Sequence, residues 1–243
     1  MPVTRKSVES RVTEKKDSVG EESAVSSTDL VVNHIVNGIL AGRYVPGQRL
    51  AEIELTNLLS VSRGPVREAF RRLDALGIVV RPMHRGACIR TLSRQEAIDL
   101  MVATEPVVRL IAKLAAEKFA QRPAPRELAH VAQELKRYRD GDENGKQLIQ
   151  QRRHFYDLLL ALTGNSQLPS VFPTMRVHLL RMQVRSFANE EERREHREGY
   201  SRIAAAVLDG DAKSAEKAMI AHNHHQRQTF ATLPDSAFPP ALP

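Results

Sequence analysis

"VSRGPVREAF", residues 61–70, followed directly by Arg71 and Arg72, decides how the chain is read. Val66, Ala69, Phe70, Leu73 and Leu76 recur at the 3.6-residue spacing of a helix with one buried face. Ser62 stands where a helix cap belongs, Pro65 is tolerated because it falls in the first turn, and Gly77 closes the run. With that face turned inward, Arg63, Arg67 and Arg71 share the outer face at four-residue steps. A helix that buries one side and offers guanidinium groups on the other suits a DNA major groove, which is about 12 Å wide. Arginine there pairs two-pronged with guanine O6 and N7, or clamps a phosphate.

The flanking sequence supplies the scaffold for such a helix. "DLVVNHIVNGILAG" places Leu30, Ile35, Ile39 and Leu40 on one helical face, with Asp29 as N-cap and Gly42 as stop. "PG" at 46–47 marks a turn, and Ile53, Leu55, Leu58 and Leu59 form the apolar repeat of a second short helix. "IVVR" and "ACIR", separated by "PMHRG", read as a two-stranded hairpin whose turn carries His84, Arg85 and Gly86. Three short helices and a hairpin make a winged helix-turn-helix over residues 29–92. Helical patterns then follow at about 94–120, 125–140, 146–163, 168–188 and 190–230, the last broken at "LDGD", 208–211, so that 93–232 reads as an all-helical unit. Residues 1–28 show no helical stripe and are expected to be a disordered tail, as is the proline-rich stretch 233–243.

Charge points the same way. The chain carries +7, and residues 63–90 hold seven arginines against Glu68 and Asp74, seven minus two giving +5 in one window. A basic balance concentrated there favours an anionic partner such as nucleic acid. Hydrophobic residues are 42% and aromatics only 5%, so the core is one of Leu, Ala, Val and Ile in a mainly α protein. A single cysteine, Cys88, excludes an internal disulfide, and no apolar run approaches the roughly 20 residues of a membrane span. The expected location is the bacterial cytoplasm.

The stretch "GILAGRYVPGQRLAEIELTNLLSVSRGPVREAFRRLDALGIVVRPMHRGACI" resembles the DNA-binding domain of the GntR family of bacterial transcription regulators, through PGxxL, VSRxPVREA and RGAxI taken together. The remainder, through "LALTGN" and "AVLDGDAKSAEKAMIAH", resembles the FCD effector-binding domain of the FadR/VanR branch. The resemblance implies an antiparallel helical bundle, a homodimer and a palindromic double-stranded DNA operator, with repression relieved by ligand. It implies DNA contacts at Ser62, Arg63, Arg67, His84, Arg85 and Gly86, with Arg71 alongside them on the outer face. Many relatives have arginine where this chain has Ile53, and Arg49 is the candidate to replace that contact.

FCD domains commonly hold a metal with one Asp and three His. Counted back from Gly164-Asn165, the first two positions fall on Arg152 and Tyr156; counted back from Gly210-Asp211, the third falls on Tyr200; only His222 agrees. A guanidinium, two phenols and one imidazole do not make a divalent-metal site. The expectation is therefore no cofactor. Arg152, the two tyrosine hydroxyls and His222 would instead anchor a small anionic effector bearing carboxylate or phosphate, of which a coenzyme conjugate is one form, or else hydrogen-bond one another in a filled core. Thr104 stands on the first long helix where relatives carry a pocket arginine, and Arg181 is a further pocket cation. "HNHH", 222–225, puts His222 and His225 on one face, where dipole complementation at a helix end competes with metal binding. His154, His178 and His196 read as scattered structural residues.

Two other function classes stand beside the regulator. An all-helical His-metal enzyme would need clustered carboxylates, and no Ser/His/Asp order, phosphate loop, CxxC or HExxH is present. An effector-free architectural DNA binder leaves the long second unit without a role.

Overall fold

The computed structural model describes residues 26–82, 86–121, 127–137 and 145–239. Two hydrophobic cores organise the chain. The N-terminal one is enclosed by α1 (Ser27–Leu40), β1 (Arg49–Leu50), α2 (Glu52–Leu59), α3 (Arg63–Ala75), β2 (Val79–Val80) and β3 (Ala87–Ile89). The strands form one antiparallel sheet in the order β1-β3-β2, with Arg49 opposite Cys88 and Val79 opposite Ile89. Val31, Ile35, Ile39, Val66, Phe70, Leu73 and Ile89 fill its centre.

The second core is helical: α4 (Arg94–Gln121), α5 (Glu127–Arg137), α6 (Gly145–Thr163), α7 (Leu168–Val171), α8 (Thr174–Val184), α9 (Glu190–Leu208) and α10 (Ala212–Thr232). The long α4 and α10 pack on each other, α9 packs on both of them and on α5, and α6 closes against α4 and α5. α9 starts with a capping box, Asn189 and Glu192 exchanging side-chain-to-backbone bonds, and Asp211 caps α10 through the Ser214 N–H at 3.0 Å. Each cap satisfies donors that the first helical turn leaves free.

α8 belongs to both cores. Leu179 is fully buried in the N-terminal core, with Met175 and Met182 packed against that core, while its neighbour Leu180 is buried in the helical one. The Gln183 amide accepts from Leu92 N–H at 2.9 Å and donates to the carbonyls of Leu92 and Ala237 at 2.8 and 2.9 Å. The junction between the winged unit and the bundle is thus held on both flanks of this helix.

Several expectations are corrected. The N-cap of α1 is Ser26, whose hydroxyl accepts from Asp29 N–H at 3.1 Å, so the ordered region begins before Asp29. Val31 replaces Leu30 on the buried face, because Leu30 is exposed; Ile53, Leu58 and Leu76 are exposed as well. Pro173 divides the 168–188 pattern into α7 and α8. A third strand, β1, borders the hairpin. Residues 233–239 are not a free tail. Leu233, Ala237 and Phe238 are buried, and Arg94 donates to the carbonyls of Phe230, Ala231 and Leu233 and to Asp235 while lying 4.8 Å over the Phe238 ring. The expected tail 1–25 and residues 240–243 lie outside the described residues.

Truncating Leu179 to alanine leaves a cavity where α8 enters the winged unit and should cost about 2–5 kcal/mol in urea denaturation, whereas Leu76→Ala, at an exposed cap, should stay within about 0.5 kcal/mol.

Candidate nucleic-acid interface and effector cavity

α3 buries Val66, Ala69, Phe70 and Leu73 and turns Ser62, Arg63, Gly64, Arg67, Arg71 and Arg72 to solvent. The outward arginines differ in their surroundings. Arg67 Nε meets Glu52 of α2 at 3.0 Å, Arg71 pairs with Glu68 at 3.1 Å, and Arg72 pairs with Asp29 at 2.9 Å. All three pairs are substantially exposed, a setting in which an ion pair contributes under about 1 kcal/mol and is readily exchanged for a phosphate or base edge. Arg63 has no ion pair or hydrogen bond among the described residues. Ser62 is the N-cap by position, but its side chain makes no capping bond, contrary to expectation, so the hydroxyl is free. Arg49 reaches from β1 towards the wing: its guanidinium lies 3.6 Å from where a Cβ on Gly86 would stand, and Gly86 holds φ +73°. The wing residues His84 and Arg85 lie outside the described residues.

A second site opens inside the bundle. α6, α8, α9 and α10 enclose a cavity of about 80 Å³. Its walls are largely apolar, from Leu148, Val184, Ala188, Phe230 and Leu233. Its polar groups are mostly cations or donors: Arg152, Arg181, Arg185, Arg193, Arg197, His196, Tyr200, His225 and Gln226. The one lining acid, Glu192, is engaged by the Asn189 backbone N–H at 2.8 Å. Arg193 and Arg197 meet Glu190 at 3.2 and 2.6 Å.

At the inner wall Arg152 Nε donates to the Tyr200 hydroxyl at 2.7 Å, and that hydroxyl lies 3.1 Å from His196 Nε2. His196 stacks on His222 at 4.6 Å with 19° between the rings, and His222 Nε2 contacts the Gln226 amide nitrogen. Both Nδ1 atoms are buried without a partner. Gly199 makes room for this: a Cβ there would stand 2.1 Å from His222 Nδ1. Arg181 packs over the Phe230 ring at 5.0 Å, and its Nε is likewise buried without a partner. Burial, and then the facing Arg152, pull the Arg181 pKa down to about 9, which leaves it cationic at neutral pH. Burial first, then Arg181, holds His196 and His222 well below the ordinary imidazole value and neutral.

Comparisons with known proteins bear on the family and the fold. The model of the gntR family of bacterial regulatory proteins matches residues 28–89, and that of the FCD domain matches residues 107–225. The transcriptional regulator Mce2R of Mycobacterium tuberculosis is 30% identical over 216 residues, covering 77% of this chain and 85% of its own length. The chain belongs to the GntR family. YdhC of Bacillus subtilis, an HTH-type transcriptional regulator, is 24% identical over 200 residues, covering 79% of this chain and 86% of its own. The solved structure of Escherichia coli McbR/YncC superposes with a TM-score of 0.69 at 20% identity, covering 85% and 98% of the two chains, and shares the fold. The family's members are transcriptional regulators and not enzymes, so this chain is a DNA-binding transcriptional regulator of GntR/FCD type. No helix among the described residues is long and apolar enough to cross a membrane.

Within the family's frame, the metal positions reached by counting are occupied by groups unsuited to a divalent ion. Of the groups at those positions, the Arg152 guanidinium hydrogen-bonds the Tyr200 phenol. Of the expected effector residues, Arg152, Tyr200 and Arg181 line the cavity. His222 stands just behind it. Tyr156 does not line it and instead packs against Phe172 at 5.4 Å and Phe155 at 5.9 Å. Thr104 is buried in α4 with its hydroxyl donating to Leu100 O at 2.7 Å, since a threonine inside a helix satisfies itself on the preceding turn. His196, read from sequence as a scattered residue, belongs to the site. Its four-residue step from Tyr200 on one helix face is the signal that marks it.

His178 gives a pH test of the domain junction. It lies on α8, its Nε2 is buried without a partner, and its pKa is lowered to about 4 by burial and by Arg152 and Arg153. The unfolded chain takes up protons below the ordinary value near 6.5, whereas folded His178, His196 and His222 do not. Stability is therefore present above pH 6.5 and is lost as pH falls towards 4. The Tm should fall between pH 7 and pH 5, and His178→Gln should flatten that fall.

For the DNA face, a duplex enriched from a random library supplies the probe. Arg63→Ala should weaken binding roughly tenfold or more with an unchanged Tm, because a good two-pronged base contact is worth about 1–3 kcal/mol and Arg63 supports nothing in the fold.

Proposed function

We propose that the chain is a homodimeric repressor released from a palindromic operator by a small organic anion held in the bundle cavity. The observation that carries this reading is Arg181, half-buried with its Nε buried and unpartnered, lining a largely apolar cavity together with a second cation, Arg152. A buried charge without a counter-ion is costly, and a carboxylate or phosphate seated between Arg152 and Arg181 would neutralise it. The apolar walls suit an anion with a hydrocarbon or aromatic body. The repressor sense draws on a relative from Paenarthrobacter nicotinovorans, described as a probable D-xylose utilization operon transcriptional repressor, which is 33% identical over 89 residues, 37% of this chain and 39% of its own length.

α8 offers the route from cavity to DNA. Arg181 and Val184 line the cavity, while Leu179 of the same helix is embedded in the winged unit's core. An anion that draws Arg181 inward shifts or turns α8 and with it the bearing of α3. In a dimer, two such helices address half-sites about 34 Å apart, so a small reorientation spoils the register. Coupling free energies of this kind are typically about 1–3 kcal/mol.

Thermal-shift titration with aliphatic and aromatic carboxylates, phosphate esters and inorganic phosphate tests the reading. At least one organic anion should raise the Tm and release the library-selected duplex. Arg181→Met should raise the Tm of the free protein, by removing an uncompensated buried charge, and abolish the anion response. An anion response that survives in Arg181→Met, or none across the series, contradicts the proposal.

A further inference from the structure

Gly64 is a helical residue that the fold does not require to be glycine. Six described glycines hold a positive φ, and Gly38 and Gly199 leave space for Tyr44 and His222, whose atoms stand 2.3 and 2.1 Å from where a Cβ would be. Gly64 has neither feature. It lies in the first turn of α3 without a positive φ, and a Cβ built on it would meet no heavy atom within 4 Å. Glycine in a helix costs stability relative to alanine, because the unfolded chain gains backbone freedom. The conformation and packing of this chain therefore give no return for that cost.

The position is exposed on the face that reads DNA. Gly64 follows the unpaired Arg63 and precedes Arg67 and Glu68 by one turn, so all of them overlook the same groove. We infer that Gly64 is a specificity-determining position: the bound duplex approaches the α3 main chain at residue 64 more closely than a Cβ permits. The first turn of α3 then sits deep against the base edges, and the arginines on either side reach them. This rests on α3 being the DNA-reading helix.

The inference predicts an unusual pairing of effects. Gly64→Ala in the full chain should raise the Tm by about 1–3 °C, as expected for glycine replaced in a helix. The same variant should bind the library-selected duplex at least tenfold more weakly. A glycine with a merely structural role cannot yield a more stable protein that binds less. Gly64→Ser should lose at least as much affinity as Gly64→Ala, and selection repeated with Gly64→Ala should return altered preferences at the base pairs nearest α3. If Gly64→Ala binds as tightly as the wild-type chain, or Gly64→Ser binds more tightly, residue 64 faces open space in the complex and the inference is overturned. A wild-type chain that enriches no duplex at all would overturn the assignment of α3 itself, a separate failure.

Discussion

The structure turns on a constraint carried by two consecutive residues. Leu179 and Leu180 are both fully buried, yet they enter different cores. Successive side chains on a helix diverge by about 100°, so α8 can satisfy both only if it is wedged between the winged unit and the bundle. Gln183, one turn further on, fixes Leu92 at the start of the bundle and Ala237 near the end of the described chain. The bearing of α3 relative to the cavity is therefore set by the eleven-residue helix Thr174–Val184, with α1 touching α6 beside it.

The same helix carries Arg181, a cation held close to a second cation. A guanidinium loses much of its hydration on burial, and Arg181 recovers part of that through the Phe230 face. No carboxylate completes the recovery, and Arg152 adds repulsion. The neighbouring imidazoles respond by staying neutral, and their Nδ1 atoms are left without partners. The polar groups around the cavity are mostly donors or cations, so a bound acceptor would offset their mutual repulsion. That makes the free state of the cavity sensitive to ligand in a way that a self-satisfied core is not.

What was legible in the sequence was what depends on neighbours along the chain. The register of α3 follows from Val66, Ala69, Phe70 and Leu73, and every outward arginine follows from that register. Errors arose where tertiary packing overrides pattern. Leu30 and Val31 are equally apolar, and only the angle of α1 against α3 decides that Val31 is buried. The prolines after Leu233 suggested a loose tail, but Arg94, 139 residues earlier, ties down that carbonyl. Counting from Gly210-Asp211 reached Tyr200 and passed over His196, because spacing identifies one residue per turn while the site uses two turns of α9. The pairing of Arg67 with Glu52 spans 15 positions and two helices, beyond any local pattern.

Arginine performs two tasks here, and solvent separates them. On α3 the guanidinium groups are wet; Arg67, Arg71 and Arg72 rest against their own acids, and the exchange of those acids for phosphate or base edges costs little. In the cavity Arg181 is half-buried, with its Nε shut off from solvent and unpartnered, so it holds no acid of its own there to exchange. The DNA face can therefore search many sequences with weak, salt-sensitive contacts, while under the proposed function the cavity would discriminate by whether a ligand of the right charge and shape is present. A regulator needs both behaviours from one basic composition. The chain obtains them by placing one set of arginines on the outside of a short helix and the other beneath the helix that joins its two cores.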